Sequence, residues 1–148
     1  MQRRKTMRFM IMVRATKDTE AGIFPTGEEY EKLFSDMAAY HEDLKKAGVL
    51  LDGSGLQPSS KGWRINYTGA KRTVIDGPFA EAKELVAGYT IIEVKSREEA
   101  LEWTKRFPNP AGEGKPAEIE VRQLYELGDF EPAEAIDRFR KMGVGGKG

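Results

Sequence analysis

The segment Arg8-Phe9-Met10-Ile11-Met12-Val13 constrains the fold more than any other stretch of this chain. Both of its alternating sets are apolar: Phe9, Ile11 and Val13 on one side, Met10 and Met12 on the other. Side chains alternate across a strand, so a strand of this kind has to be covered on both faces. Helices of the same chain can cover one face. The simplest source for the other is a second subunit.

A polar connection from Arg14 to Phe24 follows, and then Pro25-Thr26-Gly27-Glu28-Glu29, where Thr26 and Glu29 have capping-box spacing. The periodicity predicts a helix from Gly27 to Ala47 that stops at Gly48, a residue suited to the left-handed C′ position. Its apolar stripe reads Tyr30, Leu33, Phe34, Met37 and Leu44, and His41 falls inside that stripe. Val49-Leu50-Leu51 is a short apolar strand, broken by Asp52-Gly53-Ser54-Gly55. Trp63 to Thr68 and Lys71 to Asp76 are β-rich and joined across Gly69-Ala70, a hairpin signature. Asp76-Gly77-Pro78-Phe79 reads as a turn and Ala80 to Leu85 as a polar linker. Tyr89 to Val94 is the strongest strand signal, β-branched and aromatic. A second capping box, Ser96 with Glu99, opens a helix that carries Ala100, Trp103 and Phe107 on one side and ends at Pro108. Asn109 to Pro116 is a loop, and Ile119 to Leu124 alternates as a last strand. A helix started by Pro132 carries Ile136 and Phe139, and Gly143 to Gly148 is expected to be disordered.

The core order is strand, helix, strand, hairpin, strand, helix, strand. Two βα units sharing one antiparallel sheet give an α+β, ferredoxin-like layer with helices on one face. The bare face is expected to be buried when two sheets meet, as a dimeric α/β barrel. Residues 1–6 read as a flexible extension, with Met7 an alternative start, residues 7–127 as the domain, and residues 128–148 as a C-terminal helix and tail.

Several classes of function are excluded. Basic and acidic residues number 24 each, so no net field draws the chain to nucleic acid or to a membrane. The absence of cysteine removes disulfides, thiolate nucleophiles and cysteine zinc sites together. A single histidine cannot build a multi-histidine metal site within one subunit, so no metal and no cofactor are expected. The short apolar run after the basic start matches neither a signal core nor a membrane span, and a cytoplasmic protein is expected. Gly53-Ser54-Gly55 resembles a phosphate loop, but no Gly-Lys-Ser/Thr follows it and no helix starts behind it.

Asp76-Gly77-Pro78-Phe79-Ala80-Glu81-Ala82-Lys83-Glu84 resembles the motif after which the DGPF proteins, a YCII-related family, are named. Ala47 to Leu50, Gly53 to Pro58, Glu99 to Trp103 and Ile119 to Arg122 are similar to other stretches of that family, in the same order. The resemblance covers roughly residues 7 to 125. It implies a ferredoxin-like fold paired as a dimeric α/β barrel, in bacterial, cytoplasmic company that includes extracytoplasmic-function sigma factors. It also implies a cleft holding a histidine–aspartate pair, the histidine coming from the first helix, a position that His41 suits. The family's aspartate sits in an Asp-Pro-aromatic turn after the second helix. Here that turn is Phe107-Pro108-Asn109-Pro110 and carries no aspartate.

On this reading His41 is a general acid/base, because imidazole exchanges protons near neutrality. The competing reading is a packed helix histidine whose nitrogens meet backbone or water. Asp76 is the candidate carboxylate partner, orienting the ring; alternatively its side chain caps the turn amides from Gly77 to Phe79. Asp52 and Ser54, at the end of a buried strand, and Phe79, a cleft wall or a core plug, are candidate ligand contacts. The expected function is binding of a small molecule near the dimer interface, with cofactor-free elimination, isomerisation or hydrolysis as the chemistry. The alternative is a homodimeric regulatory module that senses a metabolite or contacts a sigma-factor pathway without turnover.

Overall fold

The computed structural model describes residues 5–148, so the first four residues of the expected flexible extension lie outside the described region. The strand opening the chain, β1 (Met7–Arg14), occupies the middle of a four-stranded antiparallel sheet. Its neighbours are β5 (Val86–Val94) and β6 (Ile119–Gln123), and β2 (Leu50–Gly55) adds to the far edge of β5. The spatial order β2-β5-β1-β6 is that of the expected split β-α-β arrangement. Register places Ile11 opposite both Thr90 and Val121.

Two helices lie on the Phe9/Ile11 side: α2 (Gly27–Lys46) and α3 (Arg97–Lys105). They seal a core in which Ile11, Leu44, Ile92 and Val94 are fully buried, with Phe9, Tyr40, Val49 and Ala100 around them. Burying each large aliphatic side chain contributes about 1.5–3 kcal/mol. Ser96 caps α3 by accepting from the Glu99 amide at 3.1 Å. Gly48, at φ +74°, ends α2 in the left-handed conformation expected of it. On the opposite sheet face Met10, Met12, Tyr89 and Ile91 are half-buried. Among the described residues no helix is long and apolar enough to cross a membrane.

The structure departs from the sequence expectations at several points. The connection after β1 contains a short helix, α1 (Lys17–Glu20), capped by Thr16 and Thr19 reciprocally. Thr26 occupies the N-cap of α2, but its side chain makes no cap bond. The stripe expected on α2 is buried only toward its C-terminal end: Leu44 is sealed, whereas Tyr30 and Phe34 are exposed and the buried aromatic is Tyr40. The expected turn Asp52-Gly53-Ser54-Gly55 instead continues β2, because the edge of β5 offers it a hydrogen-bonding ladder as far as Gly88.

The hairpin formed by β3 (Trp63–Thr68) and β4 (Lys71–Asp76) exists as expected but forms its own two-stranded sheet. Beyond it, the amides of Gly77 and Phe79 go to the Gly62 carbonyl at 3.0 Å and to the Ser59 hydroxyl at 3.0 Å, not to the Asp76 side chain. At the C-terminus, α4 (Glu134–Met142) is followed by a tail that turns back, the Lys147 amide donating to Glu126 at 2.9 Å. The four-stranded sheet is open, edged by β2 and β6, and no barrel closes within one chain.

Candidate functional site

A cleft of about 990 Å³ opens between α2 and the β2–β5 side of the sheet. His41 reaches it from the third quarter of α2, one residue after the buried Tyr40. The imidazole is held at both nitrogens: Nδ1 lies 2.8 Å from the Met37 carbonyl one turn earlier, and Nε2 lies 2.8 Å from the Thr90 hydroxyl. A carbonyl oxygen can only accept, so Nδ1 carries a proton. In the neutral ring Nε2 is therefore the bare nitrogen, and the Thr90 hydroxyl donates to it. Edge-on contacts from Tyr40 and Phe107, at centroid distances of 5.6 and 6.3 Å, fix the plane of the ring.

Strand alternation explains how Thr90 comes to be there. Gly88, Thr90, Ile92 and Val94 are the inward, buried set of β5, and Thr90 is the polar member of it. Across the ladder Thr90 faces Gly53, where a Cβ would sit 3.8 Å from His41 Nε2. Gly53 thus leaves open the space beside the ring nitrogen. Asp52 and Ser54 pair with Ile91 and Tyr89, the outward residues, so their side chains leave the sheet on the face away from Thr90, although both residues border the cleft as part of the edge strand. The Tyr89 hydroxyl donates to Asp52 Oδ2 at 3.3 Å.

The sequence candidates therefore divide. His41, Asp52 and Ser54 line one cleft; Asp76 and Phe79 do not. Asp76 closes β4 opposite Trp63 on the exposed hairpin, and the Phe79 ring lies under the Arg64 guanidinium at 3.8 Å. The aspartate-free turn after α3 still contributes to the cleft through Phe107 and Pro110, while Asn109 folds onto its own loop by accepting from the Ala111 amide. Thr90 is not among the residues that the sequence pattern marks as candidates. Its signal was available as a lone hydroxyl in the inward set of the strongest strand. Among the described residues no cluster of three acidic or histidine side chains is placed to hold a metal.

Buried in the adjoining core, the Tyr40 hydroxyl donates to the Trp103 carbonyl at 2.7 Å. Burial pushes its pKa up to about 12, with Arg106 acting in the opposite sense. The site is thus backed by a phenol that stays neutral.

An inward His41–Thr90 pair over an open β-edge, in a split β-α-β layer, defines an α+β protein with a helix-to-sheet cleft. The YCII-related domain model matches residues 7–126, and the chain belongs to that family. It is 29% identical over 103 residues to an uncharacterised protein of Rhizobium meliloti (strain 1021), a match covering 70% of this chain and 83% of the relative.

Proposed function

We propose that this protein binds a small, largely apolar molecule in the cleft between α2 and the sheet, and that His41 exchanges a proton with it. The observation that carries this reading is the His41–Thr90 pair, with Nε2 2.8 Å from a hydroxyl at the cleft wall. A ligand proton can reach Nε2 by displacing the Thr90 hydroxyl or by passing through it, since a hydroxyl both donates and accepts. Such a base supports elimination, isomerisation or hydrolysis of an unsaturated or carbonyl compound without a thiol. Asp52 and Ser54 are the polar contacts we assign at the rim, and Asp76 and Phe79 remain candidates only through a second copy of the chain. That second copy is part of the proposal: the half-buried Met10, Met12, Tyr89 and Ile91 face suits sheet-to-sheet pairing.

One observation favours a binding module without turnover. Both imidazole nitrogens already have partners inside the protein, as in a structural histidine. Screening apolar carbonyl and carboxylate compounds by thermal shift, on the native chain and on His41→Asn, separates the readings. Turnover of a bound compound that is lost in the variant while binding is kept supports catalysis. Binding and biological activity unchanged in the variant leave only the binding module.

A further inference from the structure

The β3–β4 hairpin is an arm without a body to rest on. All twelve residues of its strands are exposed, and neither strand pairs with the four-stranded sheet. An isolated two-stranded hairpin is marginally stable in water. This one nevertheless gathers four of its five large apolar residues on one face, with Ile75 opposite Arg64 on the other. Trp63, Ile65 and Tyr67 alternate along β3, and Val74 stands opposite Ile65. Their exposures are 62, 43, 65 and 62%. The arm is cationic, with Arg64, Lys71 and Arg72 against Asp76.

Its root is held to the short helix α1 of its own chain. The Ser59 amide and hydroxyl both bind the Glu20 carboxylate, and the Ser59 hydroxyl accepts from the Phe79 amide. A built root and an uncovered apolar face together describe an arm that leaves its own subunit.

A complementary surface exists on this same chain. Phe24, Tyr30 and Phe34 form an exposed aromatic cluster, with centroids 6.2 Å apart for Phe24–Phe34 and 4.6 Å for Tyr30–Phe34. Phe24 and Phe34 stand on the lining of the His41 cleft. Around them the first half of α2 carries Glu28, Glu29, Glu31 and Asp36 against Lys32. Glu113 and Lys115, which pair with Lys32 and Glu29, leave that acidic balance unchanged.

The geometry points to an exchange of arms between two copies of this chain, the hairpin of each seating its Trp63/Ile65/Tyr67/Val74 face on the Phe24/Tyr30/Phe34 cluster of the other. Apolar face meets aromatic cluster, and basic arm meets acidic helix. The exchange rests on the two-copy part of the reading above and adds to it, because the arm of one copy then covers the cleft of the other. A site closed in this way is incomplete in a monomer.

Since the chain has no cysteine, single cysteines report contacts cleanly. Tyr67→Cys and Tyr30→Cys chains are mixed and oxidised, and the disulfide between the two different variants is expected to exceed either self-linked product. In parallel, Trp63→Ser combined with Val74→Ser is compared with the native chain by sedimentation velocity, with circular dichroism as the check on folding. The expected result is a folded chain whose dimer dissociation constant rises about tenfold or more. A native dimer whose affinity ignores the arm substitutions, with no mixed disulfide, overturns the exchange and leaves sheet pairing standing. A native chain that stays monomeric overturns both.

Discussion

His41 Nε2 and Thr90 Oγ1 lie 2.8 Å apart, joining the first long helix to the inward face of the β5 strand. With Nδ1 committed to the Met37 carbonyl, the pair sets which nitrogen of the neutral ring is free to take a proton. The partner of the histidine within this chain is therefore a hydroxyl. A hydroxyl differs from a carboxylate in a functional respect: it orients the ring without stabilising the imidazolium by charge.

Thr90→Val tests that relationship directly. In the native chain, long-range nitrogen–proton NMR of the single histidine is expected to give the Nδ1-protonated tautomer, with Nε2 bare. Thr90→Val should move the Nε2 resonance and leave Nδ1 in place, while Thr90→Ser should keep the native pattern. The valine variant leaves a ring nitrogen without its partner, which costs about 1–2 kcal/mol in urea unfolding. A native ring protonated at Nε2 would contradict the arrangement.

Much of the fold was legible from residue patterns because the core elements are strongly periodic. The inward set of β1, the glycine stop at Gly48 and the Ser96 cap all stand where local chemistry places them. What local pattern cannot convey is which partner an element finds. Trp63 to Thr68 alternates as a sheet strand would, and nothing in those residues separates an attached hairpin from a free arm. The same limit applies to Asp52-Gly53-Ser54-Gly55, whose composition signals a turn while an unpaired edge draws it into the ladder. Within the site, His41 was found because a lone histidine on an apolar stripe stands out. Its partner is not a carboxylate but the inward threonine of a buried strand, a residue type that packs silently in most sheets.

The Asp76-Gly77-Pro78-Phe79 turn yields a second prediction. A Cβ on Gly77 would lie within 1.9 Å of the Ser59 carbonyl oxygen, a backbone atom that cannot rotate away. Gly77→Ala must therefore push the turn off the Ser59 segment and break the Phe79 amide bond to the Ser59 hydroxyl. Hydrogen exchange is expected to accelerate at Phe79 and along both hairpin strands, with the four-stranded sheet protected as before. Ser59→Ala, which removes the hydroxyl alone, should reproduce the change at Phe79 in milder form. Uniform loss of protection across the whole chain would assign this turn to global stability instead.

Tyr40 gives the pH dependence. Its pKa is raised from 10.0 to about 12, so the folded state holds a proton that the unfolded state releases first. The contribution to stability is fully present below pH 10 and is lost as pH rises toward about 12. A two-unit shift corresponds to an order of 2–3 kcal/mol. Spectrophotometric titration should show one of the five tyrosines ionising late, together with a falling unfolding midpoint across the same window. In Tyr40→Phe the late step should vanish and the alkaline slope should flatten. A late step that survives would move the assignment to another tyrosine.

The uneven burial of α2 makes the last prediction, a contrast between two apolar residues that sequence periodicity treats alike. Leu44 is fully buried against the Ile92 and Val94 layer, whereas Phe34 is 45% exposed beyond the packed end of the helix. Leu44→Ala removes packed methyl groups and leaves a cavity, costing about 2–5 kcal/mol. Phe34→Ala removes a ring that touches Tyr30 and Phe24 at the cleft mouth, so its cost to the isolated fold should stay below about 1 kcal/mol. Urea unfolding at low protein concentration reads both, because dilution removes any contribution of a second copy. If Phe34→Ala proves as damaging as Leu44→Ala there, the first half of α2 is packed within its own subunit, and the surface assigned to the partner's arm disappears with it.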